Sequence, residues 1–339
     1  MKKEMTPKER VMAVIKQKEC DCLPVISTSS AVNPTCMERA NASFPSAHYD
    51  PAKMAALAET GYTLLGFDSI MPYFSAHLEA STLGCSVQWG DASNVPIVTE
   101  HAITRLGEFT IPGSYPNRPP CSALLKTIRL LKKKHGDTVP IIGKVIGPWG
   151  LLYQLYGGDN LTMDLILEPK QIKVLFRQLA ESAVLFAKAQ FDAGADIVTW
   201  IDHTIMDFFS PQIYQEFLLP LHQYAARQLA PYGPVIWSIY GNVYDRFDLI
   251  AQSGFPILHI LTNNNLQKAR EIIGNRMLVI GSINNPDVLV SGTPTDVRQE
   301  VFRCIEYGGR LIAPEAAIPL KTPTANLIEL VQSVHRARF

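Results

Sequence analysis

The sequence lacks several features that mark large classes of protein. It has no Cys-x-x-Cys pair, and its six cysteines among 339 residues are too few for a disulfide-stabilised secreted scaffold. No run reaches the roughly 20 apolar residues that a membrane span needs, and residues 1–10 carry charges in place of the apolar core of a secretion signal. The 31 basic and 31 acidic side chains cancel, so the basic excess typical of nucleic-acid-binding proteins is missing. We therefore expect a cytoplasmic protein with neither a membrane nor nucleic acid as a partner.

What the chain does contain is a regular alternation of strand and helix patterns. Short apolar runs predict eight strands, and helical stripes or helix-capping signals lie between them. The predicted strands cover residues 23–26, 64–71, 140–145, 195–201, 235–239, 257–261, 277–280 and 309–313. This count predicts an α/β fold, a (β/α)₈ TIM barrel, as a single domain over residues 1–339 with an elaborated loop region at residues 72–120.

A doubly wound open sheet is the competing architecture. Such sheets usually carry a glycine-rich phosphate-binding turn after the first strand. Here the first predicted strand runs into Ser-Thr-Ser-Ser at residues 27–30, which favours the barrel.

Polar side chains follow several of the predicted strands, where barrel enzymes place their active sites. Asp202 and Glu315 are the candidates for acid–base chemistry. His203 and His259 are candidate ligands or proton carriers. The polar and aromatic residues at other strand ends are Trp149, Ser238, Tyr240 and Asn242.

Several short motifs in a fixed order resemble the uroporphyrinogen decarboxylase superfamily. They lie at residues 5–10, 50–54, 66–68, 143–149, 194–196, 210–214, 292–294 and 321–323. Residues 71–74, which include Tyr73, and residues 83–85 are most similar to the corrinoid-dependent methyltransferase branch, to which the methylcobamide:coenzyme M methyltransferases belong. The resemblance covers residues 5–334 and implies a TIM barrel, in agreement with the strand count.

The resemblance implies an enzyme that moves a methyl group between a small-molecule donor or acceptor and a corrinoid. The methylcobalamin or cob(I)alamin would be supplied by a separate small corrinoid-binding protein, because no Asp-x-His-x-x-Gly corrinoid motif occurs in this chain. We assign catalysis to Asp202, Glu315 and Tyr240. Substrate binding is assigned to Trp149, His203, Ser238, Asn242, His259 and Tyr73.

The same branch normally binds zinc through a His-x-Cys pair on the fifth strand and a later cysteine. The corresponding residues here are Ser238, Tyr240 and Ala316, which cannot by themselves form a tetrahedral zinc site. Two alternatives stay open: a rebuilt metal site, or a metal-free site in which Tyr240 acts with Glu315 or Asp202 on a non-thiol substrate. The substitute ligands for a rebuilt site are His259, Glu315, Asp202 and His203.

Two other functions also stay open. The loss of the usual ligands is consistent with a non-catalytic subunit that binds the corrinoid protein. A decarboxylase of a small acid is the third alternative, but a polycarboxylate substrate is disfavoured because Arg39 is the one arginine between residues 22 and 47.

Overall fold

A ring of parallel strands forms the centre of the protein, and the computed structural model describes residues 4–337. The strands are β1 (Ser86–Gln88), β2 (Ile97–Glu100), β3 (Ile142–Ile146), β4 (Ile197–Ile201), β5 (Val235–Ile239), β6 (Ile257–Ile260), β7 (Leu278–Val279), β8 (Gly281–Ile283) and β9 (Ile312–Pro314). Strands β3 to β7 are parallel neighbours in that order, and β8 pairs with β9. Strands β1 and β2 form a separate antiparallel hairpin within the elaborated region at residues 72–120.

The ring is closed by two short segments that each make a single bridge. Val25 pairs with Ile312 of β9, and Ile70 pairs with Ile141 just before β3. The Asp68 N–H donates to the Val25 carbonyl at 2.7 Å, which joins the two segments. With β7 and β8 forming one interrupted strand, the ring has the eight members of a TIM barrel, and the predicted fold is confirmed.

Helices cover the outside of the ring. They are α1 (Pro7–Ile15), α2 (Pro34–Ala40), α3 (Pro51–Thr63), α4 (Leu78–Thr82), α5 (Cys121–His135), α6 (Pro148–Tyr156), α7 (Gly158–Leu167), α8 (Pro169–Ala193), α9 (Pro211–Phe217), α10 (Leu219–Leu229), α11 (Phe247–Ile250), α12 (Leu266–Ile273), α13 (Pro294–Glu306) and α14 (Thr324–Arg336). Across residues 4–337 none of them has the length and apolar character required to cross a membrane.

The helix that the pattern predicts over residues 211–230 is interrupted at Leu218, between α9 and α10. The cause is Pro220, which lacks an N–H group and whose ring would clash with the carbonyl four residues earlier. His222 of α10 is fully buried, and its Nε2 lies 2.9 Å from Asp202 Oδ2.

Side-chain alternation along the strands decides which residues face the inside of the ring. A Cβ at Gly143 would point at Gln190 of α8, so Gly143 faces outward and Lys144 faces the interior. The register pairs Lys144 with Thr199 and Ser238 with His259. These residues therefore lie on the inner face of the barrel.

Near the amino-terminal ends of the barrel strands, a buried carboxylate joins three parts of the chain. Asp68 is 1% exposed and accepts hydrogen bonds from the Arg10 side chain at 2.5 Å and from the Val25 N–H at 2.9 Å. Nε2 of His335 on α14 lies 2.8 Å from Asp68 Oδ2, the oxygen that also accepts the Val25 N–H. Two of the recognised motifs, at residues 5–10 and 66–68, thus meet in a structural cluster.

Candidate active site

A row of polar side chains runs across the interior of the barrel, beneath the carboxyl ends of the strands. Lys144 Nζ donates to Ser29 Oγ at 3.1 Å. His259 Nδ1 lies 2.9 Å from Ser238 Oγ and 3.0 Å from Thr28 Oγ1. All five side chains are at least nine-tenths buried, so the row is a polar layer enclosed by an apolar core.

Lys144 is the cation of this layer. Its ammonium lies 4.4 Å from the centroid of the Tyr73 ring, and Ser29 is its one hydrogen-bond partner among the described residues. Burial lowers the pKa of Lys144 to about 7, with a smaller opposing effect from the Glu79 carboxylate. Since an ammonium has three donors, a ligand acceptor could still bind there.

Glu79 supports this cation from α4. Its carboxylate accepts hydrogen bonds from the Tyr73 hydroxyl and the Ile146 N–H, both at 2.8 Å. Burial raises the pKa of Glu79 to about 7, and the hydrogen bond from Tyr73 partly offsets this shift. Sequence patterns predicted neither Lys144 nor Glu79 as site residues. For Lys144 a signal was available: side-chain alternation along an apolar strand places this charged residue inside the barrel.

The two residues at the centre of the row have polar atoms that the protein leaves unsatisfied. The Tyr240 hydroxyl is buried near Ser29 and Ser238 without a hydrogen bond of normal geometry. His259 Nε2 lies near the Pro314 carbonyl, also without such a bond. Burial raises the pKa of Tyr240 and lowers that of His259 to about 3. Both side chains are therefore neutral near pH 7.

An apolar pocket of about 330 Å³ opens beside the polar layer. Its aromatic wall is Trp149 and Tyr153 of α6 with Phe208 from the loop after β4. The Phe208 ring centroid lies 5.4 Å from that of Trp149 and 5.8 Å from that of Tyr153. The remaining lining residues are Ala76, His77, Ile146, Gly150, Gln154, Ile201 and His203.

His203 connects the pocket to the polar layer. Its Nδ1 accepts a hydrogen bond from the Tyr240 backbone N–H at 3.1 Å, and the two rings pack with centroids 4.9 Å apart. Burial lowers the pKa of His203 to about 4. Asn242, two residues beyond Tyr240, contributes its carbonyl, which accepts from the Met206 N–H at 2.9 Å.

Asp202 is not part of the polar row and does not itself line the pocket, although it contacts the lining residue Gly150. Its carboxylate accepts the Gly150 N–H at 2.9 Å and lies 2.9 Å from His222 Nε2, and it is fully buried. A side chain at Gly147 would meet Asp202 Cγ at 2.5 Å, so the close approach requires glycine. These contacts are those of a carboxylate that fixes α6 and α10 to the barrel.

Glu315 ties together the ends of three strands. Its carboxylate accepts the Thr262 hydroxyl at 2.5 Å, the Thr262 N–H at 2.9 Å and the Asn285 N–H at 3.0 Å. The side chain is 6% exposed. Asp202 and Glu315 are therefore held by different neighbours and share no hydrogen-bond partner among the described residues.

The side chains that could replace the usual zinc ligands are dispersed. Within residues 4–337, no three His, Cys, Asp or Glu side chains lie close enough to share a metal ion. Ser238 and Tyr240 contribute neutral hydroxyls, and Ala316 contributes no donor atom. This donor set does not suit zinc, which is bound by thiolate, imidazole or carboxylate ligands.

We therefore expect elemental analysis of the purified protein to find zinc far below one atom per chain. The reason is the oxygen-only donor set at Ser238 and Tyr240. Ser238→His combined with Tyr240→Cys and Ala316→Cys is the matched test, because it supplies the usual ligand types and should raise the zinc content. Zinc near one per chain in the unaltered protein would contradict the expectation.

Comparisons with known proteins cover nearly the whole chain. The family model described as uroporphyrinogen decarboxylase (URO-D) matches residues 6–337. The chain is 28% identical to the methylcobamide:CoM methyltransferase MtbA of Methanosarcina acetivorans over 340 residues, 99% of each protein. It is 28% identical to a methylated-thiol–coenzyme M methyltransferase of Methanosarcina mazei, over 98% of this chain and 90% of that protein. A solved methyltransferase from Methanosarcina mazei superposes with a TM-score of 0.92 at 26% identity, covering 97% of this chain and 98% of the other.

Proposed function

Because the chain belongs to the uroporphyrinogen decarboxylase (URO-D) family, we propose that it is a corrinoid-dependent methyltransferase. It moves a methyl group between a small molecule and the cobalamin of a separate corrinoid-binding protein. The observation that carries the proposal is the similarity to a methylcobamide:CoM methyltransferase along 99% of both chains. A decarboxylase of a polycarboxylate is less well supported, because Arg39 lies exposed on α2 and not in the barrel.

The apolar pocket is the proposed site for the small molecule. It lies at the carboxyl ends of β3 and β4, the face at which barrel enzymes bind substrates. Its aromatic wall of Trp149, Tyr153 and Phe208 suits the apolar body of a ligand. The corrinoid carried by the partner supplies the cobalt that gives or takes the methyl group, and it would approach from the same face.

The polar layer is proposed to manage the proton of the reaction. Demethylation of a neutral compound leaves an anion that needs a proton, and methylation of a protic acceptor releases one. Lys144, with a pKa of about 7, can hold or accept that proton near neutral pH. Ser29 and the adjacent Tyr240 hydroxyl lie between Lys144 and the pocket wall at His203, so Lys144, Ser29 and Tyr240 offer a route for it.

The direct test is methyl transfer with free cofactor. Methylcobalamin would be mixed with the purified protein and a series of thiols that includes coenzyme M, and cob(I)alamin with neutral methyl compounds. We expect the absorbance spectrum of the corrinoid to change in at least one pairing, at a rate that depends on the concentration of the protein.

Two phenylalanines of similar exposure provide the control. Phe208 lines the pocket and is 37% exposed, whereas Phe302 lies on α13 and is 42% exposed. Phe208→Ala should slow transfer several-fold by removing part of the binding wall, and Phe302→Ala should not. A protein that binds the corrinoid partner but produces no spectral change with any donor or acceptor would favour the non-catalytic subunit instead.

A further inference from the structure

His203 has a fixed arrangement of its two ring nitrogens. Nδ1 accepts the Tyr240 backbone N–H at 3.1 Å, so Nδ1 carries no proton. In a neutral imidazole the proton must then reside on Nε2. The backbone of β5 thereby selects the tautomer in which Nε2 is a donor.

Burial keeps the His203 ring neutral, and the charged groups around it partly cancel each other. Burial lowers its pKa to about 4, with Asp202 opposing the shift and Lys144 adding to it. The Tyr240 ring packs against it at an interplanar angle of 31°; the pKa of Tyr240 is raised, and its hydroxyl is uncharged near pH 7. Across the pocket, His77 Nδ1 lies 2.9 Å from Gln154 Oε1. These two side chains therefore pair with each other and not with His203.

The pocket around His203 is mainly apolar, and its other polar side chains, His77 and Gln154, are paired with each other, which makes a fixed N–H donor selective. Trp149, Tyr153, Phe208 and two isoleucines supply most of the remaining wall. In such surroundings a hydrogen bond is stronger than in water, and an unpaired donor is costly. A ligand that offers an acceptor atom to this N–H is therefore favoured over one that does not.

We propose that His203 donates its Nε2–H to the methyl-bearing heteroatom of the substrate, which is a neutral molecule with an apolar body and an acceptor oxygen or sulfur. The proposal deepens and rests on the methyltransferase function. In demethylation the carbon–heteroatom bond breaks, its electron pair stays on the heteroatom, and cobalt(I) of the partner's corrinoid provides the pair for the new bond to carbon. The N–H stabilises the negative charge that develops on the heteroatom, which then takes a proton that Lys144 supplies through Ser29 and Tyr240. Quaternary ammonium ions have no lone pair on the methyl-bearing nitrogen and cannot accept this hydrogen bond.

Three probes with the same ring test the proposal: anisole, ethylbenzene and trimethylphenylammonium. They differ at the position that would face His203, which is an ether oxygen, a methylene or a cationic nitrogen. We expect the wild-type protein to bind anisole roughly threefold to tenfold more tightly than ethylbenzene, the value of one hydrogen bond. The cation should bind most weakly. Equal affinity for anisole and ethylbenzene, or a preference for the cation, would overturn the proposal.

Two variants separate the donor from the shape of the ring. His203→Phe keeps a planar side chain and should bind both neutral probes alike. His203→Asn offers an oxygen to the Tyr240 N–H, so it protects the fold, but it is too short to present a donor to the pocket, and it should also lose the preference. Retention of the anisole preference in both variants would assign the discrimination to another group.

Nitrogen-15 NMR of histidine-labelled protein supplies a readout that needs neither substrate nor corrinoid. At pH 6 the His203 ring should show a bare Nδ1 and a protonated Nε2, and the signals should be missing in His203→Asn. A cationic ring or the opposite tautomer at pH 6 would refute the assignment. Because binding and NMR do not require turnover, a protein with the expected preference but no methyl transfer would disprove the proposed function and not the donor.

Discussion

Replacing Asp202 by alanine is expected to lower the free energy of unfolding by about 3 to 5 kcal/mol. The change leaves the Gly150 N–H and the fully buried His222 without their shared acceptor. Asp202→Asn should cost less, because its oxygen still accepts the Gly150 N–H. Urea denaturation of the purified variants measures both values.

The same experiment decides between a structural and a catalytic role for Asp202. The exposed Asp207, five residues further on in the same loop, is the matched control, and Asp207→Ala should change stability little. A catalytic acid or base would give the opposite pattern: Asp202→Asn would unfold like the wild type and have no activity. We expect Asp202→Asn to retain most of its methyl transfer in proportion to the folded protein.

Replacing Lys144 by methionine is expected to stabilise the protein at pH 6 by a few kcal/mol, while methyl transfer falls by about a hundredfold. The pKa of Lys144 is lowered from 10.5 to about 7 by burial, so the unfolded chain binds more protons than the folded one between these values. The stability lost to the buried charge is therefore largest below pH 7. It diminishes as the pH rises toward 10.5, and the advantage of the methionine variant should shrink over that range.

Denaturation curves at pH 6 and pH 9 measure this difference. Lys173, which lies half-exposed beside Glu216 on the surface, provides the control, and Lys173→Met should have the same small effect at both pH values. Two outcomes would contradict this expectation: a Lys144→Met variant that is less stable than the wild type at pH 6, or one whose gain in stability does not change with pH. Either would show that burial of the charged ammonium does not destabilise the folded protein.

The barrel could be predicted from the sequence because its strands are short, apolar and bounded by helix signals. Even the two weakest members, around Val25 and Ile70, were predicted, although each forms only one bridge. Helix ends were harder to predict. The sequence pattern predicts a helix over residues 245–253, but the helix that forms covers only Phe247–Ile250. Helices α6 and α7 were not predicted, because their apolar residues do not recur with the spacing of a single helix face.

The site was predictable only where it depends on strand parity. Alternation of side chains along a strand predicts that Ser238 and Tyr240 share one face, with His259 on the same side. In the structure His259 Nδ1 lies 2.9 Å from Ser238 Oγ. The contacts of Asp202 and Glu79 depend on partners that are distant in the chain, His222 on α10 and Ile146 on β3. No local pattern reports such a partner, so a strand-end carboxylate that caps a helix looks the same as one that reacts.

The cluster at Asp68 has a consequence for how the protein is made. Its carboxylate receives Arg10 of α1 and His335 of α14, and His335 follows Asp68 by 267 residues. On the ribosome, the segments around Val25 and Ile70 are therefore finished long before the helix and the strand β9 that lock them. Until β9 and α14 have been synthesised, the ring stays open between the Val25 segment and β8. The apolar strands at that opening are then exposed to solvent. A nascent chain halted before residue 312 should recruit chaperones, and the addition of residues 312–339 should end that association.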